Sequence, residues 1–254
     1  MNPNPTAAMT KVPAVTLGFW IIKILATTLG ETGGDTLSMT YDMGYLVSTA
    51  IFVVPLLALV AAQIRAKEYR PFLYWATIVA STTAGTTMAD FATRSLGIGY
   101  PGGALLLAAC VAASLAAWKA VLGSVSVETV ATTRSEVFYW LTITFSQTLG
   151  TAVGDWAADD GGFGYLGGAL LFGGLLLVLV VLWKTSRVST VLLFWSAFIL
   201  TRPLGATVGD FLDKPLSHGG LDLSRPMASI TLCAAMIVLI VVLPQRAGRH
   251  VSAA

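Results

Sequence analysis

Four aspartates recur along the chain in the same local setting. A glycine lies five residues before each of them, a glycine or alanine lies one residue before, and an aromatic-tryptophan pair ends fifteen residues before. The pattern [FY]-W-x9-G-x3-[GA]-D therefore occurs four times, ending at Asp35, Asp90, Asp155 and Asp210. Because residues four apart share one face of a helix, each aspartate continues a stripe formed by the residues four, eight and twelve positions before it.

The stripes are polar in the half next to the aspartate and mostly apolar below it. Ionisable groups within an apolar segment are costly in lipid, so these side chains are expected to face one another or water. We therefore predict that four helices converge on one axis with the four aspartates and Glu31 as ligands. The residues predicted to line the pathway below them are Thr27, Thr82, Thr86, Gln147, Thr151, Lys23 and Arg202.

Carboxylate, hydroxyl and amide oxygens are the only ligand atoms that the stripes offer. Such atoms suit Mg²⁺, Ca²⁺ or Mn²⁺ better than Zn²⁺ or Cu⁺, and rings of acidic side chains select cations in pores. A divalent cation is thus the one cofactor that the sequence suggests. Two other interpretations of the aspartates remain open: ion pairs with Arg94, Lys214, Arg225 or Arg202 that only stabilise the fold, and a site for a small molecule or a partner protein.

Two repeats depart from the others in charge. Glu31 occurs only in the first repeat and Arg202 only in the fourth, and Arg202 is predicted to neutralise Glu31 or an aspartate across the axis. A fixed positive charge opposes free cation flow, which favours gated or proton-coupled transport, with Glu31 as the proton carrier. Lys23 either extends its ammonium towards the membrane surface or joins this charge network.

The glycines of the motif form a small-xxx-small face, which allows helix backbones to approach closely. We predict a helix-packing role for this set: Gly30, Gly34, Gly85, Gly150, Gly154, Gly205 and Gly209.

The elements that must position these residues are membrane helices. Of 254 residues, 56% are hydrophobic and 11% charged, and the mean hydropathy is +0.78. About 20 apolar residues cross a bilayer core. We predict one all-α transmembrane domain over residues 1–254, with eight spans near 13–36, 43–63, 72–92, 101–122, 136–157, 163–183, 190–212 and 226–243.

The spans group into four helical hairpins, over approximately 13–65, 70–122, 135–184 and 189–243. Each hairpin contributes two spans, so the repeats are parallel and are predicted to surround a pseudo-fourfold axis. Odd-numbered helices are expected inside, even-numbered helices are expected to face lipid, and the motif tryptophans are expected to form an interfacial belt.

The loops that join one repeat to the next, together with the terminal segments, hold most of the lysines and arginines. The positive-inside rule then predicts cytoplasmic termini and aspartates near the outer surface. A net charge of +2 without a basic run interleaved with aromatics predicts no nucleic-acid partner. The expected partners are the lipid bilayer and an inorganic cation.

Three segments carry a resemblance to known families: 23–40 (KILATTLGETGGDTLSMT), 145–156 (FSQTLGTAVGDW) and 200–215 (LTRPLGATVGDFLDKP). They resemble a family of bacterial proteins described as uncharacterised membrane-anchored proteins, which implies a location in the bacterial inner membrane. The stretch from Glu31 to Thr36 is also similar to the Glu-x-Gly-Asp motif of cation/proton exchangers that export manganese or calcium. Here Gly33 adds one residue to that motif, and the other three repeats lack the glutamate.

We therefore expect membrane transport or binding of a hard inorganic cation. The alternative is a non-transporting membrane sensor or assembly subunit in which the aspartates are structural. A transporter predicts a wet cavity along the stripes, whereas the alternative predicts a dry core with paired aspartates. An enzyme is not expected, because the sequence has no nucleophile-base pair, phosphate-binding glycine loop or redox ligand set.

Overall fold

The computed structural model describes residues 9–249 and consists of eight α-helices and one short two-stranded sheet. Each predicted apolar segment corresponds to one helix, so the predicted number of helices is confirmed. The ends of the predicted domain, residues 1–8 and 250–254, lie outside the described residues. The helices are α1 Leu17–Asp35, α2 Tyr45–Arg65, α3 Pro71–Asp90, α4 Gly99–Leu122, α5 Thr133–Ala158, α6 Gly164–Thr185, α7 Thr190–Asp213 and α8 Arg225–Val242.

Five helices are long and apolar enough to cross a membrane, namely α2, α4, α6, α7 and α8. Four of these helices, α2, α4, α6 and α8, expose most of their apolar side chains. In the most apolar 18-residue stretch of each, no more than 22% of the residues are buried. Large exposed apolar surfaces are unfavourable in water and favourable in lipid. These helices indicate a membrane protein.

The odd-numbered helices contact one another in a closed ring. Helix α1 packs against α3 and α7, and α5 packs against the same two helices. Each even-numbered helix packs chiefly against the odd-numbered helix of the following repeat: α2 on α3, α4 on α5, α6 on α7, and α8 back on α1. The sequence repeats are therefore interlocked, and the hairpins expected from the sequence are not the main packing units.

The aromatic pairs of the motif pack together inside one end of this ring. Trp75, Trp140 and Trp195 are buried, and Trp20 is half-buried. The hydroxyls of Tyr74 and Tyr139 lie 2.6 Å apart across the interface between α3 and α5. The rings therefore face the interior of the bundle, and their predicted depth at the membrane interface stays a prediction. We call these pairs, with Trp118 and Phe198, the aromatic layer.

The two terminal segments meet outside the aromatic layer. Strand β1 (Met9–Pro13) pairs antiparallel with β2 (Ala247–Arg249). Lys11 Nζ donates to the carbonyls of Ile64 and Ala66 at 3.0 and 2.8 Å and lies 2.5 Å from Glu136 Oε1. Lys11 thereby connects β1 to the end of α2 and the start of α5.

Candidate functional site

The four motif aspartates lie at the end of the ring opposite the aromatic layer, and all four are almost fully buried. Asp35 and Asp90 are the last residues of α1 and α3, and each is followed by one π-helical turn, Thr36–Thr40 and Phe91–Ser95. Asp155 and Asp210 are followed by one more helical turn in α5 and α7. The C-terminal end of a helix disfavours negative charge, so these carboxylates need cationic partners.

One lysine joins the aspartates of the first and fourth repeats. Lys214 Nζ lies 2.8 Å from Asp35 Oδ2 and 2.9 Å from Asp210 Oδ1. Burial lowers the pKa of Lys214, but the carboxylates of Asp210, Asp35 and Asp213 outweigh this effect, and the pKa lies well above its ordinary value. Arg225 completes this side with Nε 3.3 Å from Asp213 and 3.8 Å from Asp35.

One arginine joins the other two repeats in the same way. Arg94 Nε lies 3.0 Å from Asp90 Oδ1, and its Nη2 lies 3.1 Å from Asp155 Oδ2. The four aspartates are therefore neither splayed apart nor each held by a separate donor. They form two pairs, each bridged by one basic side chain.

Glu31 adds a third carboxylate to the pair bridged by Lys214. Glu31, Asp35 and Asp210 each bring an oxygen within 4.8 Å of the other two, and all three residues are buried. Asp35 Oδ1 accepts no hydrogen bond from any residue between 9 and 249. We call these three residues the tricarboxylate group.

The charges of the aspartate end do not balance. Six carboxyl groups lie there: Glu31, Asp35, Asp90, Asp155, Asp210 and Asp213. Four basic groups pair with them: Arg94, Arg202, Lys214 and Arg225. If every group is ionised, the cluster carries two excess negative charges in an environment where unpaired charge is costly.

Arg202 occupies the layer one helical turn below the aspartates and is fully buried. Its Nη2 lies 2.8 Å from Glu31 Oε2 and 2.6 Å from Thr86 Oγ1, and it also donates to Thr151 Oγ1. The predicted pairing of Arg202 with Glu31 is therefore present. Because these four residues come from four different repeats, the guanidinium joins all four odd-numbered helices on the axis.

Lys23 lies one layer deeper and has no carboxylate within ion-pair distance among residues 9–249. Its Nζ lies 3.4 Å from both Gln147 Oε1 and Thr201 Oγ1 and 4.2 Å from the centre of the Phe198 ring. The side chain is fully buried, so the interpretation in which it extends to the membrane surface is wrong.

Two of the predicted threonines connect neighbouring helices. Thr82 Oγ1 donates to the carbonyl of Ala26 at 3.2 Å, and Thr27 Oγ1 donates to the carbonyl of Thr201 at 3.1 Å. Ala26 and Thr201 hold the same position in the first and fourth repeats, so one interaction occurs twice around the ring. These hydroxyls have backbone partners and are fully buried.

The motif glycines lie where the odd-numbered helices approach most closely. A Cβ on the first glycine of each repeat would meet the stripe residue eight positions before the next repeat's aspartate. These pairs are Gly30 with Thr82, Gly85 with Gln147, Gly150 with Arg202, and Gly205 with Thr27. The second glycine meets the residue one turn higher: Gly34 meets Thr86, Gly154 meets Ala206, and Gly209 meets Glu31.

The stripes line no open cavity in this conformation. Thr27, Thr82, Thr86, Gln147 and Thr151 are fully buried, and Arg202, Lys23 and the aromatic layer occupy the axis below the aspartates. Two surface pockets, one along α8 and one beside β1, are lined by none of these residues. The bundle is closed between its two ends.

Sequence reasoning missed Asp213 and the π-helical turns. It named Arg94 and Lys214 as possible partners without assigning them. One signal was present, since each basic residue follows an aspartate by four positions, the spacing at which side chains of a helix meet. The second aspartate of each pair comes from another repeat, which local spacing does not reveal.

A family model described as a Repeat of Unknown Function (DUF347) matches four consecutive segments of the chain, residues 18–69, 73–123, 138–189 and 193–247. Each segment contains one copy of the aspartate motif. Among curated proteins and solved structures, none matches the chain.

Proposed function

The chain belongs to the DUF347 repeat family, whose description assigns no activity, and from its acidic cluster we propose that it binds a hard inorganic cation and moves it across a membrane. The observation that carries the proposal is the uncompensated charge of the aspartate end. Six buried carboxyl groups face only four basic groups there. A bound cation, or protons taken up in its absence, would reduce this excess of negative charge.

We propose further that all eight helices cross the membrane, with the four repeats parallel around a pseudo-fourfold axis. Helices α1, α3 and α5 carry too many polar residues to resemble lipid-facing spans. They pack inside the ring, where neighbouring helices supply polar partners. The chain then resides in the bacterial inner membrane with cytoplasmic termini, and the aspartate end faces outward.

Oxygen ligands favour Mg²⁺, Ca²⁺ or Mn²⁺ over softer metals. The similarity between the Glu31–Thr36 segment and the cation/proton exchanger motif points to the same class of ion. Movement beyond the cluster requires Arg202 to leave the axis. Protonation of Glu31 would remove one charge that holds Arg202 there, so Glu31 is the group through which protons would couple to the ion.

The closed axis favours a second candidate function, a sensor or assembly subunit that binds the cation without transporting it. Arg202 makes contacts to three other repeats, and the stripe residues below it have no exposed surface. Such a protein would bind the ion at the aspartate end and leave flux at background.

Uptake of Mn²⁺ into proteoliposomes that contain the purified chain separates these functions. We expect uptake above that of empty liposomes, and Asp35→Asn should lower it by about tenfold or more because the substitution removes a ligand charge. Asp160→Asn is the matched control, because Asp160 is an exposed acid in the loop after α5, and it should leave uptake unchanged.

Mn²⁺ binding is measured on the same preparations, so that a lack of uptake can be traced either to a lack of binding or to a lack of transport. Binding without uptake would favour the sensor or assembly subunit. Absence of both from a folded preparation, or uptake that Asp35→Asn leaves intact, would reject the proposed function.

A further inference from the structure

The two bridged aspartate pairs differ in one respect. Only the pair joined by Lys214 has a third carboxylate one helical turn below it, because Glu31 stands where the other repeats have Thr86, Thr151 and Ala206. The pair joined by Arg94 has hydroxyl groups at that level. The tricarboxylate group is therefore a local feature between the first and fourth repeats.

The tricarboxylate group has ligand capacity that its protein partners do not use. Asp35 is fully buried, yet its Oδ1 accepts no hydrogen bond from residues 9–249. Glu31 gives only its Oε2 to Arg202 and Thr86. Buried carboxylate oxygens normally have donors or ions as partners, so this oxygen points to a ligand.

Lys214 is the basic group nearest to these carboxylates that can move aside. It follows α7, its side chain is 12% exposed, and its ammonium lies 2.8 and 2.9 Å from Asp35 and Asp210 and 3.9 Å from Met39 Sδ. A lysine stem has four rotatable bonds, so the ammonium can turn towards solvent while the backbone stays in place. Arg202 is fully buried, so its guanidinium can leave the axis only if the surrounding helices also move.

We propose that Glu31, Asp35 and Asp210 form a divalent-cation site in which the ion takes the place of the Lys214 ammonium. The inference rests on the proposed function and specifies its ligand. Arg225 is offset by Asp213, so the three carboxylates together with Arg202 and Lys214 carry one excess negative charge. Exchanging the ammonium for a divalent ion makes the group neutral, whereas exchanging it for a monovalent ion leaves the excess. Lys214 is thus an internal competitor that sets affinity and favours divalent ions.

The Arg94 pair also has a buried oxygen that accepts no hydrogen bond, Asp155 Oδ1, but it lacks the third carboxylate. Its guanidinium contacts Asp90 and Asp155 through two separate nitrogens, and among residues 9–249 no third carboxylate adjoins the pair. Replacing Arg94 therefore gives a comparison variant, which removes one bridging cation from the same end of the bundle without opening the tricarboxylate group.

Equilibrium Mn²⁺ binding to the purified full-length chain in detergent tests the inference, with free Mn²⁺ followed by its electron paramagnetic resonance signal. Lys214→Gln removes the competitor and should tighten binding by about tenfold, the effect of one partly buried ion pair. Arg94→Gln also raises the negative charge of this end but leaves Lys214 in place, so it should tighten binding by less than Lys214→Gln does. Glu31→Gln should weaken binding by about tenfold or more. Na⁺ at equal concentration should not displace the bound Mn²⁺.

A second variant covers the case in which Lys214→Gln does not fold. Lys214→Arg keeps the charge and offers a planar pair of donors to the two aspartates, so it should weaken Mn²⁺ binding by about threefold or more. Unchanged or opposite effects of the substitutions at position 214, or displacement of Mn²⁺ by Na⁺, would overturn the inference. If the wild type still bound Mn²⁺, the proposed function would remain supported. If neither the folded wild type nor any folded variant bound Mn²⁺, both the inference and the proposed function would be overturned.

Discussion

Replacing Arg202 by methionine should destabilise the bundle strongly. The substitution keeps much of the side-chain volume but removes the donor to Glu31 Oε2, Thr86 Oγ1 and Thr151 Oγ1. It leaves the Glu31 carboxylate, 2% exposed, without its cation. Breaking a buried pair by removing one partner costs about 3–5 kcal/mol. For a chain of this length, that loss lowers the melting temperature by about 10 °C.

The double variant Arg202→Met/Glu31→Gln should recover most of this loss. With both charges absent, no unpaired ion remains in the core, and the free energy of unfolding should return to within about 1–2 kcal/mol of the wild type. Glu31→Gln alone should also be destabilising, because it leaves the enclosed guanidinium without a carboxylate. Comparing the two single variants with the double variant therefore separates the free energy of the ion pair from the effect of the changed side-chain shape.

Lys23→Met is the matched control for burial of a basic side chain. Lys23 is as buried as Arg202, but among residues 9–249 it has no carboxylate partner and only two long hydrogen bonds, both 3.4 Å. Its replacement should cost less than about 1 kcal/mol. Unfolding midpoints of the wild type and these four variants, followed by circular dichroism in one detergent, provide the comparison. A double variant as unstable as Arg202→Met, or a Lys23→Met variant that loses as much, would refute the reasoning.

Three further predictions concern packing and topology. Gly205→Ala should lower the free energy of unfolding by about 1–3 kcal/mol because a Cβ there overlaps the Thr27 side chain. Gly174→Ala is the control: a Cβ at Gly174 meets nothing within 4 Å, so this variant should be neutral or stabilising in the same thermal unfolding experiments. Tyr74→Phe should cost about 1 kcal/mol by removing the 2.6 Å hydroxyl contact between α3 and α5, and an unchanged midpoint would argue against that contact. In a cysteine-free background, a membrane-impermeant maleimide should label Asp160→Cys but not Lys67→Cys in intact cells, and the reverse pattern would invert the proposed orientation.

The helices could be predicted from the sequence because hydropathy and the repeated motif report on the same segments. The seventh span, predicted over 190–212, is observed over Thr190–Asp213. The motif also indicated that the aspartates, Glu31 and Arg202 would converge. Four copies of one polar stripe can all be buried only if they face a shared interior.

The interlocked packing could not be predicted in the same way. The periodicity of a helix identifies its buried face but not the helix that covers that face. The same face of α3 would be buried whether α4 of its own hairpin or α2 of the preceding repeat packed against it. The burial of the tryptophans could not be predicted for a related reason: the motif does not show that each ring contacts an aromatic residue of a neighbouring repeat. The pairing of Lys214 with Asp35 depends on the closure of the ring, which joins residues 179 positions apart.

The most direct test of the cation-binding claim is the anomalous scattering of Mn²⁺ in a crystal of the full-length chain grown with the metal. We predict one strong anomalous peak between the carboxylates of Glu31, Asp35 and Asp210, with the Lys214 ammonium turned away from them. A crystal grown at a saturating Mn²⁺ concentration with no anomalous peak at the aspartate end would contradict the account. An anomalous peak at another place, with Lys214 still bridging Asp35 and Asp210, would contradict it as well.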